Sequence, residues 1–120
     1  MPRLAWIVLP VLFLSPFGAF AGTLPVDQAS SHVGEPGTVC GLVASANYAI
    51  KARGQPTFLN LNKPDPQQVF TVVIWVSDWT KFGTPEKQLA DKNICATGVI
   101  QLFRGRPEII LHEPMELTQQ

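Results

Sequence analysis

Residues 69–76, VFTVVIWV, read as a β-strand both by composition and by period. β-Branched and aromatic residues crowd the run. Alternation sets Phe70, Val72 and Ile74 on one face and Thr71, Val73 and Trp75 on the other. The segment just before it, KPDPQ (63–67), carries two prolines that forbid a strand from continuing and mark a turn. A strand this apolar, entered through a turn and left at a change of period, needs other short strands to cover it.

Those partners are legible on either side. TVCGLVASANYA (38–49) places Val39, Gly41 and Val43 on one face and reads as a long strand, with Gly41 at a bend or close approach. KARGQ (51–55) is a turn and PTFLNLN (56–62) a second strand. The period changes over 77–93. Ser77 or Asp78 can cap a first turn reaching Phe82. Thr84, Pro85, Glu86 and Lys87 then read as an N-cap, a proline at the first helical position and a short helix to about Lys92. NICATGVIQLF (93–103) is the fourth strand, with Ile94, Ala96, Gly98 and Ile100 in phase. Residues 104–107 form a tight turn, EIILHE (108–113) is the fifth strand, and Pro114 ends it. The glycine-, proline- and serine-rich stretch 22–37 shows no sustained period and reads as a lead-in, mostly loop, with a short helical turn over 27–32. The expected class is all-β with one short helix. The order β-β-β-α-β-β is that of the OB-fold, a five-stranded Greek-key barrel. A β-sandwich needs about seven strands.

The chain opens on Met1-Pro2-Arg3, then an apolar block over 4–14, then Ala19-Phe20-Ala21. A positive n-region, an h-region and a small-x-small site make a cleaved signal peptide over 1–21. The rival, a membrane anchor, needs about 20 apolar residues, and Pro10, Pro16 and Gly18 interrupt this run. The expectation is a periplasmic or secreted protein beginning at Gly22, with lead-in 22–37, barrel 38–117 and tail 118–120, and with no stable membrane insertion after cleavage. Arg3 leaves with the leader, so the 9 basic residues of the chain fall to 8 against 9 acidic. Nucleic-acid binders usually show a clearly basic balance, so any such binding must come from a local patch. Export exposes Cys40 and Cys95 to an oxidising compartment, where two cysteines in a small domain suggest one disulfide. Two separately buried thiols are the alternative. If the first and fourth strands pair, both cysteines point to the same side of the sheet, and the register decides whether they meet.

VCGLV, PTFLNLNKPDPQQVFTVVIW and ICATGVIQLFRGRPEIIL together resemble a group of bacterial exported OB-fold domains. These are similar to nucleic-acid-binding OB modules, including modules attached to secreted nucleases of the thermonuclease type. The resemblance spans about 33–117. It implies an OB barrel and a binding role. The catalytic Arg, Asp and Glu of such nucleases have no evident counterpart here.

OB-folds that bind nucleic acid use the face of their second and third strands, flanked by the first and last hairpin loops. On that template Lys51 and Arg53 lie in one loop, Arg104 and Arg106 in the other, and Lys63 between the second and third strands. Arginine forks suit phosphate oxygens and stack on bases. Candidate stacking platforms are Tyr48, Phe58, Trp75 and Phe103, and Asn60 can add polar contacts. Against this, basic turns are often merely solvated, and Phe58 and Phe103 can equally fill a small barrel. His32 and His112 have no ligand-like spacing, alternation puts Glu113 on the face opposite His112, and Ser30-Ser31-His32 has no third triad member in view. There is no metal motif, cofactor motif or phosphate loop. The expected function is non-enzymatic: an exported OB-fold protein that binds single-stranded nucleic acid or another polyanion. An envelope interaction module, taking a protein or small ligand on the same face, is the alternative.

Overall fold

The computed structural model describes residues 22–120. The leader read over 1–21 lies outside the described residues. Among the described residues, no helix is long and apolar enough to cross a membrane.

The strands are β1 (Thr23–Pro25), β2 (Pro36–Tyr48), β3 (Thr57–Leu61), β4 (Phe70–Ile74), β5 (Asn93–Val99), β6 (Gln101–Phe103), β7 (Arg106–Ile110) and β8 (Leu117–Gln119). They join in the order β6-β7-β4-β3-β2-β5-β8, with β1 beside β2. β2, β3 and β4 form an antiparallel meander, β7 runs parallel to β4, and β5 runs antiparallel to β2. The five predicted strands are therefore present as β2, β3, β4, β5 and β7. The fold is mostly β-sheet with a few short helices, and the sheet has eight strands rather than five.

Each difference has a local cause. The fourth predicted strand, 93–103, is broken at Ile100. Its N–H donates to the Glu35 carbonyl at 3.0 Å, and its carbonyl accepts from the Gly34 N–H at 2.7 Å. The backbone thus leaves the β5 ladder while the side chain is fully buried, and 101–103 continue as β6. The tight turn is Arg104-Gly105 alone, both at positive φ (53° and 80°). A two-residue hairpin loop favours that conformation because its twist matches the strands. The lead-in is not mostly loop. It forms β1 and a 3-10 helix, Val26–His32, that buries Val26 and Ala29 in the core. Gly41 makes room for this: a Cβ there would meet Val26 Cγ2 at 2.8 Å and Asn62 Oδ1 at 2.8 Å. The tail region joins β8, which pairs with β5.

The helical region is also shorter than predicted. α1 (Val76–Trp79) runs into a 3-10 turn (Thr80–Phe82), and α2 is only Pro85–Gln88. Pro85 starts α2 as expected, but neither Thr84, Ser77 nor Asp78 caps a helix through its side chain. α2 stops because Leu89 turns into the core and Asp91 adopts φ 66°.

The core is built from Leu59, Leu61, Phe70, Val72, Ile74, Ile94, Ile100, Ile109 and Leu111, with Val39 and Val43 from β2. Each large apolar side chain buried this way contributes about 1.5–3 kcal/mol. The sheet curls until β5 lies against β7. Gly98 permits that approach, since a Cβ there would meet Ile109 Cγ2 at 2.8 Å.

β2 carries one irregularity. Val43 pairs with Leu61 but Ser45 pairs with Asn60, so Ala44 is an extra residue, a β-bulge. Before it, Val39 and Val43 face the core. After it, Ala46 and Tyr48 face inward, opposite Leu59 and Thr57, while Ser45 and Asn47 turn outward.

Cys40 and Cys95 stand directly opposite each other on β2 and β5 and form a disulfide, with Cα atoms 4.0 Å apart. The neighbouring rung, Val39 and Ala96, points into the core, so the bridge lies on the outer side. Of the two alternatives in the sequence, the disulfide is the one observed. Removing it frees a loop with a sequence separation of 55 residues. Cys40→Ser/Cys95→Ser is expected to lower unfolding stability by up to about 4 kcal/mol in denaturant titration; an unchanged midpoint would show that the bridge does not constrain the unfolded chain. Gly98→Ala is expected to cost about 1–3 kcal/mol by overpacking Ile109, whereas Gly22→Ala, with nothing within 4 Å, serves as the neutral control in the same titration.

Candidate functional site

The outer face of β2, β3, β4 and β7 is concave. It holds a groove of about 580 Å³ lined by Ser45, Asn47, Phe58, Asn60, Asp65, Gln68, Thr71 and, from the β6–β7 hairpin, Phe103, Arg104, Arg106 and Glu108. Strand register explains why these residues meet. Ser45 is opposite Asn60, Asn60 opposite Thr71, and Thr71 opposite Glu108. One rung of the sheet is thus polar from edge to edge. The next rung holds Asn47, Phe58 and Val73.

The polar rung is wired in one direction. Thr71 Oγ1 donates to Asn60 Oδ1 at 3.2 Å, and Asn60 Nδ2 donates to Ser45 Oγ at 3.0 Å. Ser45 Oγ also accepts the Asp65 N–H at 3.2 Å, fastening the β3–β4 loop to the groove. Asn60 is buried at 3 % exposure and Thr71 at 8 %, so these bonds satisfy groups that burial would otherwise penalise. Glu108 is half-buried at the far end of the rung, and burial pushes its carboxyl up from the ordinary value of 4.5. On the hairpin, the Arg104 guanidinium carbon lies 5.1 Å from the centroid of the Phe103 ring, a cation–π contact at an exposed tip.

Of the sequence-derived candidates, the groove brings together Phe58, Asn60, Phe103, Arg104 and Arg106. Lys51 and Arg53 do not join them. Their loop packs at the opposite end of β4, where the Gly54 carbonyl accepts the Val76 N–H at 3.2 Å. The β6–β7 turn precedes the start of β4, so the two basic loops stand apart by at least the length of β4, roughly 17 Å. Lys63 is exposed in the β3–β4 loop and does not line the groove. Trp75 lies against Gly54, where a Cβ would meet its ring at 2.8 Å, and so covers the loop rather than the groove. Tyr48 is not an open platform. It stacks on Trp79 with ring centroids 5.1 Å apart and planes inclined by 13°.

The sequence pattern does not mark Ser45, Asn47, Gln68, Thr71 or the acidic pair Asp65 and Glu108 as part of this site. The bulge at Ala44 is the reason for the first two. Strict alternation from Val39 carries Ser45 and Asn47 inward and Tyr48 outward, the reverse of what is observed. Thr71 was placed on the correct face, and its pairing with Asn60 was the available signal.

His112 belongs to a different cluster. Its Nδ1 lies 3.0 Å from Asp78 Oδ2, and Lys81 Nζ bridges Asp78 Oδ1 at 3.0 Å and Glu113 Oε2 at 3.1 Å. Lys81 also donates to the His112 carbonyl at 3.2 Å. The cluster clasps α1 and the following turn to the chain beyond β7. The hydrogen bond from His112, and after it that from Lys81, holds the Asp78 carboxyl below its ordinary value of 3.8. A depressed carboxylate contributes stability above its unfolded value and loses it as pH falls through the folded one. Asp78→Asn is therefore expected to flatten the acid limb of the melting-temperature profile below pH 3.8, measured by thermal unfolding in a pH series. An unchanged acid limb would remove the clasp from the account.

No protein-family model and no curated protein matches the chain. Solved structures do. The OBody AM1L10, solved bound to hen egg-white lysozyme, is similar at a TM-score of 0.58 and 15% identity, over 85% of this chain and 96% of that one. A protein described as an aspartyl-tRNA synthetase from Leishmania major Friedlin matches at 0.52 and 11%, over 92% of this chain and 23% of its own. The S. pombe Stn1-Ten1 complex matches at 0.51 and 17%, over 71% and 57%. This chain thus spans under a quarter of the synthetase and little more than half of the matched chain of the Stn1-Ten1 complex. At these identities the likeness concerns architecture. Together with the meander, the parallel β4–β7 pair and the antiparallel β2–β5 pair, it establishes an OB-like fold.

Proposed function

We propose that the protein is a non-enzymatic, exported binder of single-stranded nucleic acid, acting through the groove on the outer face of β2, β3 and β4. The observation that carries the reading is the convergence of Phe58, Asn60, Arg104 and Arg106 in one concavity. An aromatic face supplies sequence-tolerant stacking, worth about 1–3 kcal/mol per base. The two arginines supply phosphate contacts from one wall. The OB-like fold supports the reading, as two of the similar structures are a tRNA synthetase and the Stn1-Ten1 complex. Export is supported by the leader-like sequence over 1–21 and by the disulfide, which suits an oxidising compartment. We read β2, β3, β4, β5 and β7 as a five-stranded Greek-key frame, with β1, β6 and β8 as additions; the OB-like neighbours and the strand order support that reading.

A second reading keeps the groove and changes the occupant to a protein. Its support is the mixed charge of the lining, since Asp65 and Glu108 offset Arg104 and Arg106, and the similarity to an OBody bound to lysozyme.

Fluorescence anisotropy of the oxidised protein with a labelled single-stranded oligonucleotide separates the two. Two groove arginines predict a log–log salt slope of about −1.4, against about −3 if both basic loops engaged phosphate. Arg104→Ala/Arg106→Ala is expected to abolish the slope and weaken binding at least tenfold, while Lys51→Ala/Arg53→Ala changes little. An absence of saturable binding at low salt would set the nucleic-acid reading aside in favour of the protein one.

A further inference from the structure

The polar rung ends in acceptors. Thr71 gives its hydroxyl proton to Asn60, so toward the groove it offers lone pairs. Next to it, Glu108 is half-buried and has no hydrogen-bond or ion-pair partner among the described residues. Its register partner on β4 is Thr71 itself. Beside them Gln68 donates its amide to Asp65 and keeps a buried Oε1 without a donor among the described residues. An ionised carboxylate accepts and cannot donate. A half-buried carboxylate with no donor is costly, and a ligand that brings donors removes the cost. This end of the groove therefore suits a base edge made of adjacent donors.

Only one common base has such an edge. Guanine presents N1–H and the 2-amino group side by side. Adenine and cytosine each set one amino group beside a ring nitrogen that accepts, and thymine and uracil set a single N–H between two carbonyls. Against Glu108 and Thr71, each of those accepting atoms would face another acceptor. Phe58 and Arg106 line the same groove, so a base with this edge toward Glu108 has an aromatic face and a phosphate partner within the same concavity. We propose that the groove selects guanine in a single-stranded ligand, the Glu108 carboxylate accepting from N1–H and the 2-amino group beside the lone pairs of Thr71. This rests on the nucleic-acid reading of the groove and goes further by naming the base and the residue that reads it.

Competition anisotropy on the oxidised protein tests it with three thymine pentanucleotides: one unmodified, one with a central guanine and one with a central inosine, which keeps N1–H and lacks the 2-amino group. The expected order is guanine, then inosine, then thymine, with guanine at least about tenfold tighter than thymine. Glu108→Gln, checked for folding by its melt, is expected to narrow that gap to within about threefold. Equal binding of the three oligomers by the unmodified protein would overturn the guanine preference while leaving the nucleic-acid reading in place. A preference that survives Glu108→Gln would overturn the assignment to Glu108. Binding of none of them would overturn both readings.

Discussion

β2 pairs along both of its edges. Over its first half it lies between β1 and β5, and over its second half it pairs with β3. No flat strand can serve both sets of partners, and the bulge at Ala44 is where the two halves are reconciled. An extra residue in one strand bends it and raises the local twist, which is what curls the sheet around its core. The same residue reverses which side chains face out, so curvature and the composition of the groove are set by a single local event. The disulfide holds the half of β2 that precedes the bulge against β5. The hydrogen bond from Asn60 to Ser45 holds the half that follows it. The groove is thus a by-product of closing the sheet.

Much of the frame was legible because turn chemistry is local. The prolines of 63–67, the glycine and arginine at 104–105 and Pro85 each act within a few residues, and each stands where the sequence places it. What escaped depends on contacts between distant segments. Ile100 leaves its strand because Gly34 and Glu35 bond to it, and nothing in the run 93–103 announces that. The helical turn over 27–32 is legible, but that Val26 and Ala29 are buried is not, because it depends on the space beside Gly41. The bulge has no signature in ASANY, so alternation gave the wrong faces to Ser45, Asn47 and Tyr48. The OB template flanks one face with both basic loops, yet β7 runs parallel to β4 and sends them to opposite ends of it.

Charge decides what kind of binding this surface can offer. Two arginines and two carboxylates line the groove, and residues 22–120 carry 8 basic and 9 acidic side chains. Long-range steering needs an excess of one sign, so under the proposed function capture would rely on contact: stacking on Phe58, hydrogen bonds from the polar rung, and phosphate held at one wall. Burial alone pushes the Glu108 carboxyl up from its ordinary value, so under the proposed function this residue would favour discrimination among ligands over sheer affinity.

The β6–β7 hairpin divides its duties unevenly. β7 sends Pro107 and Ile109 beneath the surface, and Leu111 just after it, whereas all three residues of β6 are exposed and a Cβ on Gly105 in the turn between them would meet nothing within 4 Å. One wall of the groove is consequently anchored by a single strand, and its outer strand and tip are free of packing obligations. Lineages descended from such a chain can lengthen, shorten or recolour that tip without disturbing the interior. The groove thus has one wall tied to the interior and one wall that substitutions can reshape while the scaffold stays put.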